Sequence, residues 1–533
     1  MAPRTLKDSD TRSRATRRAA LLTLYGVLFL TFLDTTIVSV TLGSVQSDLH
    51  AGVDELQWVV NGYALVFASL MLMAGSIGDR WGRRRLMLGG VAVFCAGSLL
   101  AAAASTATTL IAGRVVMGVG AAASEPGTLS MIRQLFPEAD RRAHALGGWA
   151  AVSGLALASG PVLGGALVGL GSWRIVFWAN LAAGVAMLAA VAWLLPESAD
   201  PRPGRLDLPG FLLGATFLGC GAYAGIAGET RGYDAREIIA LFAVSGLALI
   251  GFLAAERRAR NPMLRLSYLA KPAVGGPLAV AFAIYFGVFS IFFFTALYLQ
   301  QVVGYSGYRT AGQFAAMTLA MVVGSLMAGR WVARSGARGP MTLGCLLAAL
   351  GLVLTDHYLT IDAPFVPLSV VLAVAGLGFG VAVVPVTSTV LAAIPARDSG
   401  MAASATNTSR QLGAVVGVVA LGSLVNAHLT GDLTARLSAL GVPPTFQAIV
   451  IDAIQTGMVP RGGDANASAA YGPIVNRVIG ATFDAFRAGL HQALLVSAVL
   501  MFAAAGIAAV STRAQRTRAG ELADNPAPAA GRI

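Results

Sequence analysis

Apolar residues along this chain fall in long unbroken blocks, separated by short polar clusters. A helix needs about 20 apolar residues to cross a hydrocarbon layer about 30 Å thick. Runs of that size predict spans at 19–43, 57–78, 86–104, 109–133, 143–170, 174–195, 209–228 and 236–255. Six more follow at 273–300, 309–331, 341–358, 365–394, 401–427 and 487–511. A membrane β-barrel would instead need alternating segments of about ten residues. The pattern therefore predicts an all-α integral membrane protein with fourteen transmembrane helices. The first run holds Asp34 and no small-residue cleavage site, so it reads as a spanning helix rather than a signal peptide.

Composition agrees with the pattern. Only 12% of the 533 residues are charged, against about 25% in soluble proteins. The formal net charge of +12 raises nucleic acid as a partner, but the charges sit in clusters between spans while aromatics concentrate inside them. No nucleic-acid partner is expected. With the N-terminus placed in the cytoplasm, 28 of the 38 Lys and Arg fall on the cytoplasmic side and eight on the outer side. The other two, Arg114 and Arg410, lie within spans. Both termini are thus expected inside the cell. Lysine occurs only at Lys7 and Lys271, which with the abundant Ala and Gly hints at a GC-rich bacterial genome.

Enzyme chemistry finds no foothold. Cys95, Cys220 and Cys345 are isolated in apolar segments and the five histidines are scattered, so neither metal ligands, a disulfide framework nor a catalytic constellation is expected. Gly118-Val119-Gly120 precedes no strand–helix–strand unit, and no phosphate-binding loop occurs. No cofactor is expected, and a gradient, not hydrolysis by this chain, must supply any energy.

The chain repeats itself. Gly75-x-x-x-Asp79-Arg80-x-Gly82-x-Arg84 recurs as Gly329-x-x-x-Ala333-Arg334-x-Gly336-x-Arg338, and Gly118-x-Gly120 recurs as Gly378-x-Gly380. Parallel duplication of this kind predicts two six-helix halves with substrate bound between them near the midplane. The expected organisation is a basic tail at 1–18, a first half at 19–200, a two-helix insertion at 201–265, a second half at 266–511 and a tail at 512–533. A long outer loop at 428–486, rich in Gly, Pro, Asn and Asp, would hold a small hairpin or be partly disordered.

Four motifs resemble the fourteen-helix drug:proton antiporter branch of the major facilitator superfamily, over roughly residues 19–511. They are Leu33-Asp34-Thr35-Thr36-Ile37-Val38-Ser39-Val40, the loop Gly75–Arg84, Leu110–Gly120 around Arg114, and Ala156–Gly165. Trp173-Arg174 followed by Phe177 and Asn180 fits as well. The resemblance implies that Gly75, Asp79, Arg80, Gly82, Arg83 and Arg84 form a conformational latch. Because the second copy has Ala333 for the acid, that latch should be asymmetric. It also implies that Gly160, Pro161, Gly164 and Gly165 form the antiporter motif, sealing the cytoplasmic path and favouring export.

Charges inside spans cost several kcal/mol unless paired or hydrated. Asp34 lies about 9 residues from the outer end of its helix and Arg114 about 5 from that of the fourth, so both sit in the outer half and could meet. Glu125 shares a face with Arg114, about 16 Å deeper, with Pro126 able to bend the helix there. Burial favours a neutral carboxylic acid and a nearby arginine favours the carboxylate, so an acid that changes partner can carry a proton. Asp34 is the expected proton carrier, Arg114 its modulator, and Glu125 a second carrier or a cation-recognising group; static structural pairs are the alternative. Arg410, near Asn407, lies at a depth similar to that of Glu125, and Tyr285, Phe289 and Phe292 share one helix face. These five residues are candidates for the substrate cavity, against plain packing.

The expected function is a proton-coupled antiporter that exports lipophilic drugs, antibiotics or related small molecules across a bacterial inner membrane, as a monomer. An exporter of one lipid or endogenous metabolite with different coupling is the alternative. A receptor would need an appended signalling domain, and an enzyme would need convergent catalytic groups.

Overall fold

A computed structural model describes residues 6–136, 138–197, 207–259, 262, 264–360, 363–395, 399–439, 447 and 465–511. The tail at 512–533, residues 1–5 and the Asp79 side chain lie outside the described residues. Fourteen long helices make up the fold: α1 Leu6–Ile37, α2 Val53–Trp81, α3 Arg83–Ala102, α4 Ala107–Leu135, α5 Ala139–Gly169, α6 Arg174–Leu194, α7 Leu208–Arg231 and α8 Arg236–Arg258. The remainder are α9 Pro272–Ser290, α10 Gly307–Ser335, α11 Arg338–Tyr358, α12 Phe365–Ala393, α13 Ser399–Ala439 and α14 Ala465–Ser511. Among the described residues, thirteen candidate spans are long and apolar enough to cross a membrane. α2 carries Asp54, Glu55, Gln57 and Asn61 in its first turns and packs along α4, α7 and α13.

Packing partners repeat between the halves. In the first, α4 packs on α3 and α2, α6 on α3, and α1 on α4, α5 and α6. In the second, α12 packs on α11 and α10, α14 on α11, and α9 on α12, α13 and α14. Each pair is the other displaced by eight helices. Two seams join the halves, α5 with α10 and α2 with α13, and these are also equivalent under that displacement. The inserted helices α7 and α8 pack together, and α7 covers the α2–α13 seam. Burial separates their surroundings: 17% of the apolar stretch of α8 is buried, against 88% of that running through α9. The first faces lipid, and the second runs through the centre.

Small residues explain the closest contacts, as helices in lipid associate by packing rather than by expelling water. A Cβ at Gly120 would collide with the backbone of Phe94 on α3, and one at Gly378 with that of Ala348 on α11. This repeated glycine motif is thus a helix-crossing device at the same place in both halves. Helix starts are fixed by side chains: the Thr106 hydroxyl accepts from Thr109 N at 3.2 Å, that of Ser306 from Arg309 N at 3.3 Å, and Asp207 Oδ1 from Gly210 N at 2.9 Å.

The helices outrun the apolar spans, because hydropathy marks the lipid layer while polar turns beyond it remain helical. The difference is greatest at the segment expected to be a loop from 428 to 486. There α13 continues to Ala439 and α14 begins at Ala465, and Arg436 pairs with Asp484 at 3.2 Å between them. Residues 440–446 and 448–464 lie outside the described residues.

Candidate functional site

Asp34 sits near the end of α1, where the chain tightens into a 3-10 turn at Val38–Thr41 before the short helix Leu42–Leu49. Hydroxyls satisfy carbonyls along this stretch. Thr35 donates to Thr31 O at 3.1 Å, Ser39 to Thr36 O at 2.7 Å and Thr41 to Val38 O at 2.7 Å. Arg114 of α4 donates from Nη1 to Asp34 Oδ2, and Asn180 of α6 donates from Nδ2 to Oδ1 at 2.6 Å. The guanidinium also donates from Nε to Val59 O of α2 at 2.9 Å and lies 4.5 Å from the Tyr63 ring centroid. Asp34 and Arg114 are 0% and 1% exposed, so the charges are enclosed and matched. Depth arithmetic brought Asp34 and Arg114 together. It did not assign Asn180 to the site, although Asn180 lies six residues into α6 and hence at a comparable depth.

Glu125, 1% exposed, is held differently. Asn407 of α13 donates from Nδ2 to Glu125 Oε1 at 2.9 Å. Arg410 donates from Nη1 to Asn407 Oδ1 at 3.3 Å and from Nη2 to Thr387 Oγ1 of α12 at 2.5 Å. Its guanidinium carbon is 5.5 Å from the Tyr285 ring centroid. The Asn407 amide therefore stands between the acid and the arginine.

Tyr285 and Phe289 stack with centroids 6.5 Å apart, and Phe292, within a π turn at Ile291–Thr295, meets Phe314 edge-on at 5.4 Å. All three candidate rings are buried and form the packed centre. Neither of two sizeable apolar cavities touches them. One, of about 490 Å³, lies between α7, α8 and α13, and includes Ser245, Tyr233 and Ser423. The other, of about 540 Å³, lies between α1, α5 and α6 with Leu33 and Asn180 in its wall, beside the Asp34 site.

In the loop motif, Gly82 ends α2 at φ +108°, a conformation disfavoured for side chains, and donates its N–H to Gly78 O at 3.0 Å. Gly336 ends α10 the same way at φ +81°. Arg84 donates to the last carbonyls of α6, Val191 O at 3.4 Å and Ala192 O, and its N–H reaches Glu197 Oε1 at 3.2 Å. Arg85 pairs with Glu197 Oε2 at 3.6 Å. Glu197 had no place in the sequence motif. Gly75 packs near Pro126, Arg80 is exposed, and Arg83 lies beside Gly78.

The antiporter motif joins three helices. A Cβ at Gly160 would collide with Thr36 Oγ1 of α1, one at Gly164 would lie 2.5 Å from Ile37 O, and one at Gly165 would lie 2.6 Å from the Ala311 Cβ of α10. Pro161 is within α5 between them. These contacts lie toward the Gly169 end of α5, which the charges read as outer. Gln300 adds a bond from its Nε2 to Val40 O at 2.8 Å on the same side. The motif thus closes α5 against α1 and α10 at the Gly169 end of α5.

Similarity to known proteins matches this architecture. A crystal structure of a bacterial homolog of the human lysosomal transporter Spinster, inward-facing and unoccupied, shares the fold with a TM-score of 0.62 at 17% identity, covering 96% of this chain and 99% of that one. The multidrug efflux pump LfrA of Mycolicibacterium smegmatis is 32% identical over 95% of this chain and 98% of its own. The puromycin resistance protein pur8 of Streptomyces alboniger is 36% identical over 80% and 84%, and the multidrug resistance protein Stp of Mycobacterium tuberculosis 32% over 83% of each. The sequence profile of the Major Facilitator Superfamily matches residues 24–418. With its repeated six-helix halves and buried intramembrane charges, this chain is a multi-pass membrane transporter that belongs to the Major Facilitator Superfamily.

Proposed function

We propose that this chain exports lipophilic drugs or antibiotics across the bacterial inner membrane in exchange for protons, by alternating access of one central site. The observation that carries the coupling is Asp34, fully enclosed yet bonded by both Arg114 and Asn180. Burial opposes the charge on an acid so placed while its donors favour it, so its protonation can respond to hydration or to a change in those donors. The relatives named for multidrug efflux and puromycin resistance support the substrate class, and cover most of the chain. Both termini face the cytoplasm in this reading, and one chain is the working unit. Its substrates are small lipophilic molecules from the bilayer or the cytoplasm.

The test uses proteoliposomes with an imposed pH gradient and a panel of lipophilic dyes. Dye-driven proton movement should be robust for the native chain and fall to background for Asp34→Asn. Equal movement in both proteins would remove Asp34 from the coupling. Movement driven by one lipid or metabolite but no dye would replace multidrug export with a narrow exporter.

A further inference from the structure

Glu125 is an enclosed acid that accepts a hydrogen bond from the opposite half of the molecule. It lies about ten residues, or roughly 15 Å, from the inner end of α4, and Asn407 about eight residues, or roughly 12 Å, from the inner start of α13. Their bond thus spans the two halves on the cytoplasmic side of the centre. The amide is aimed: Arg410 occupies Asn407 Oδ1, leaving the NH₂ group for the acid, and Arg410 is itself fixed by Thr387 and lies over Tyr285. An amide held this way presents donors to an acceptor.

We infer that Asn407 is a positioning residue through which the charge on Glu125 controls the inner seam: the ionised carboxylate holds α13 to α4, and a proton or cationic substrate on Glu125 releases them. The inference rests on the transport reading above. A hydrogen bond to a carboxylate is about twice as strong as one between neutral groups. Neutralising Glu125 therefore weakens the tie, because its remaining carbonyl accepts from the amide only as a neutral group. Among the described residues, the charged and titratable groups facing Glu125 are Arg410 of α13, Tyr285 of α9 and Tyr63 of α2, and Arg114 lies about three turns away on its own helix. Rocking the halves as rigid bodies would separate Asn407 from Glu125 while leaving Asp34 with all its partners. A proton bound at Glu125 thereby favours the conformation from which it can leave to the cytoplasm.

The test reads the seam without requiring transport. Gln134 at the inner end of α4 and Ser335 at the inner end of α10 are exposed, and both are changed to Cys and spin-labelled in a Cys220→Ser background. Distances are measured in lipid nanodiscs, without substrate, at mildly alkaline and mildly acidic pH. Acid should raise the population of longer inner distances several-fold. Glu125→Gln and Asn407→Ala should show those distances at both pH values, and Asp34→Asn should keep the native response. Should Asn407→Ala fail to fold, Asn407→Ser removes the reach to Glu125 with a smaller change and carries the same expectation. A native pH response in the Asn407 variant, or one lost in Asp34→Asn instead, would overturn the inference. Labels that respond as expected while Asp34→Asn transports normally would sink only the coupling role of Asp34. Labels that ignore pH beside intact proton-coupled transport would sink only the seam control.

Discussion

Asp34 and Glu125 are both buried carboxylates, but their partners belong to different parts of the machine. The side chains bonded to Asp34 come from α4 and α6, within one half, and the contact to Arg114 is direct. Glu125 is bonded by Asn407 from the other half, with Arg410 standing behind the amide. The first acid keeps its partners when the halves move as rigid bodies; the second cannot. In the proposed mechanism, the pairing of Asp34 sets where charge is stored, and that of Glu125 makes stored charge visible to the seam. A mechanism with one acid would have to move helices within a half to change the partners of Asp34. The two-acid arrangement needs only rocking.

The largest expected difference lies between the two arginines. Arg114→Leu strands an enclosed carboxylate that has lost its direct counter-charge, a change costing about 3–5 kcal/mol. The purified variant should melt well below the native protein, and adding Asn at position 34 should restore much of that loss without restoring dye-driven proton movement. Arg410→Leu leaves Glu125 with Asn407 and removes indirect contacts, so its melting temperature should fall less. Equal losses would erase the distinction between a direct pair and an amide-bridged one. Next is Asn180→Ala, which removes one hydrogen bond to a charged group, worth about 1.5–3 kcal/mol. It should shift the pH dependence of transport while leaving the inner label distances native. A shift in those distances would show that the Asp34 site also reaches the seam.

Much of this contrast was legible in the chain, for identifiable reasons. The repeated Gly-x-x-x-acid/Ala-Arg-x-Gly loops announced two equivalent halves, because a left-handed glycine is needed at Gly82 and at Gly336 to end a helix before the next begins. Counting residues from span ends placed Asp34 and Arg114 in the same outer half, because rise along a helix is fixed. It also placed Arg410 near the depth of Glu125. The Asn407 bridge was not legible, since which face of α13 meets α4 depends on how the halves dock. Glu197 was missed because its partner Arg84 is more than a hundred residues away and only packing of α3 on α6 brings them together. Tyr285 and Phe289 stack along α9 while Phe292 falls in the π turn beyond it, and periodicity does not distinguish rings that line a cavity from rings that fill it. Stretches of α13 and α14 beyond the lipid layer are polar enough to read as loop, and their helicity rests on continuation from apolar segments.

The smallest predicted effect probes how the amide is aimed. Thr387→Val keeps the shape of the side chain but removes the hydroxyl that accepts from Arg410 at 2.5 Å. One such bond contributes about 1.5–3 kcal/mol when a charged group is involved, less where the arginine finds another acceptor. The melting temperature should drop slightly, and with Arg410 loosened the Asn407 NH₂ should be less firmly directed at Glu125. Inner label distances at alkaline pH should then shift partway toward those of Asn407→Ala. Proton coupling through Asp34 should be unchanged, because Thr387 lies on α12 in the other half. If Thr387→Val instead left the seam native while Asn407→Ala opened it, the amide would be oriented by Glu125 itself. The contrast between the two acids would then reduce to a single hydrogen bond across the halves.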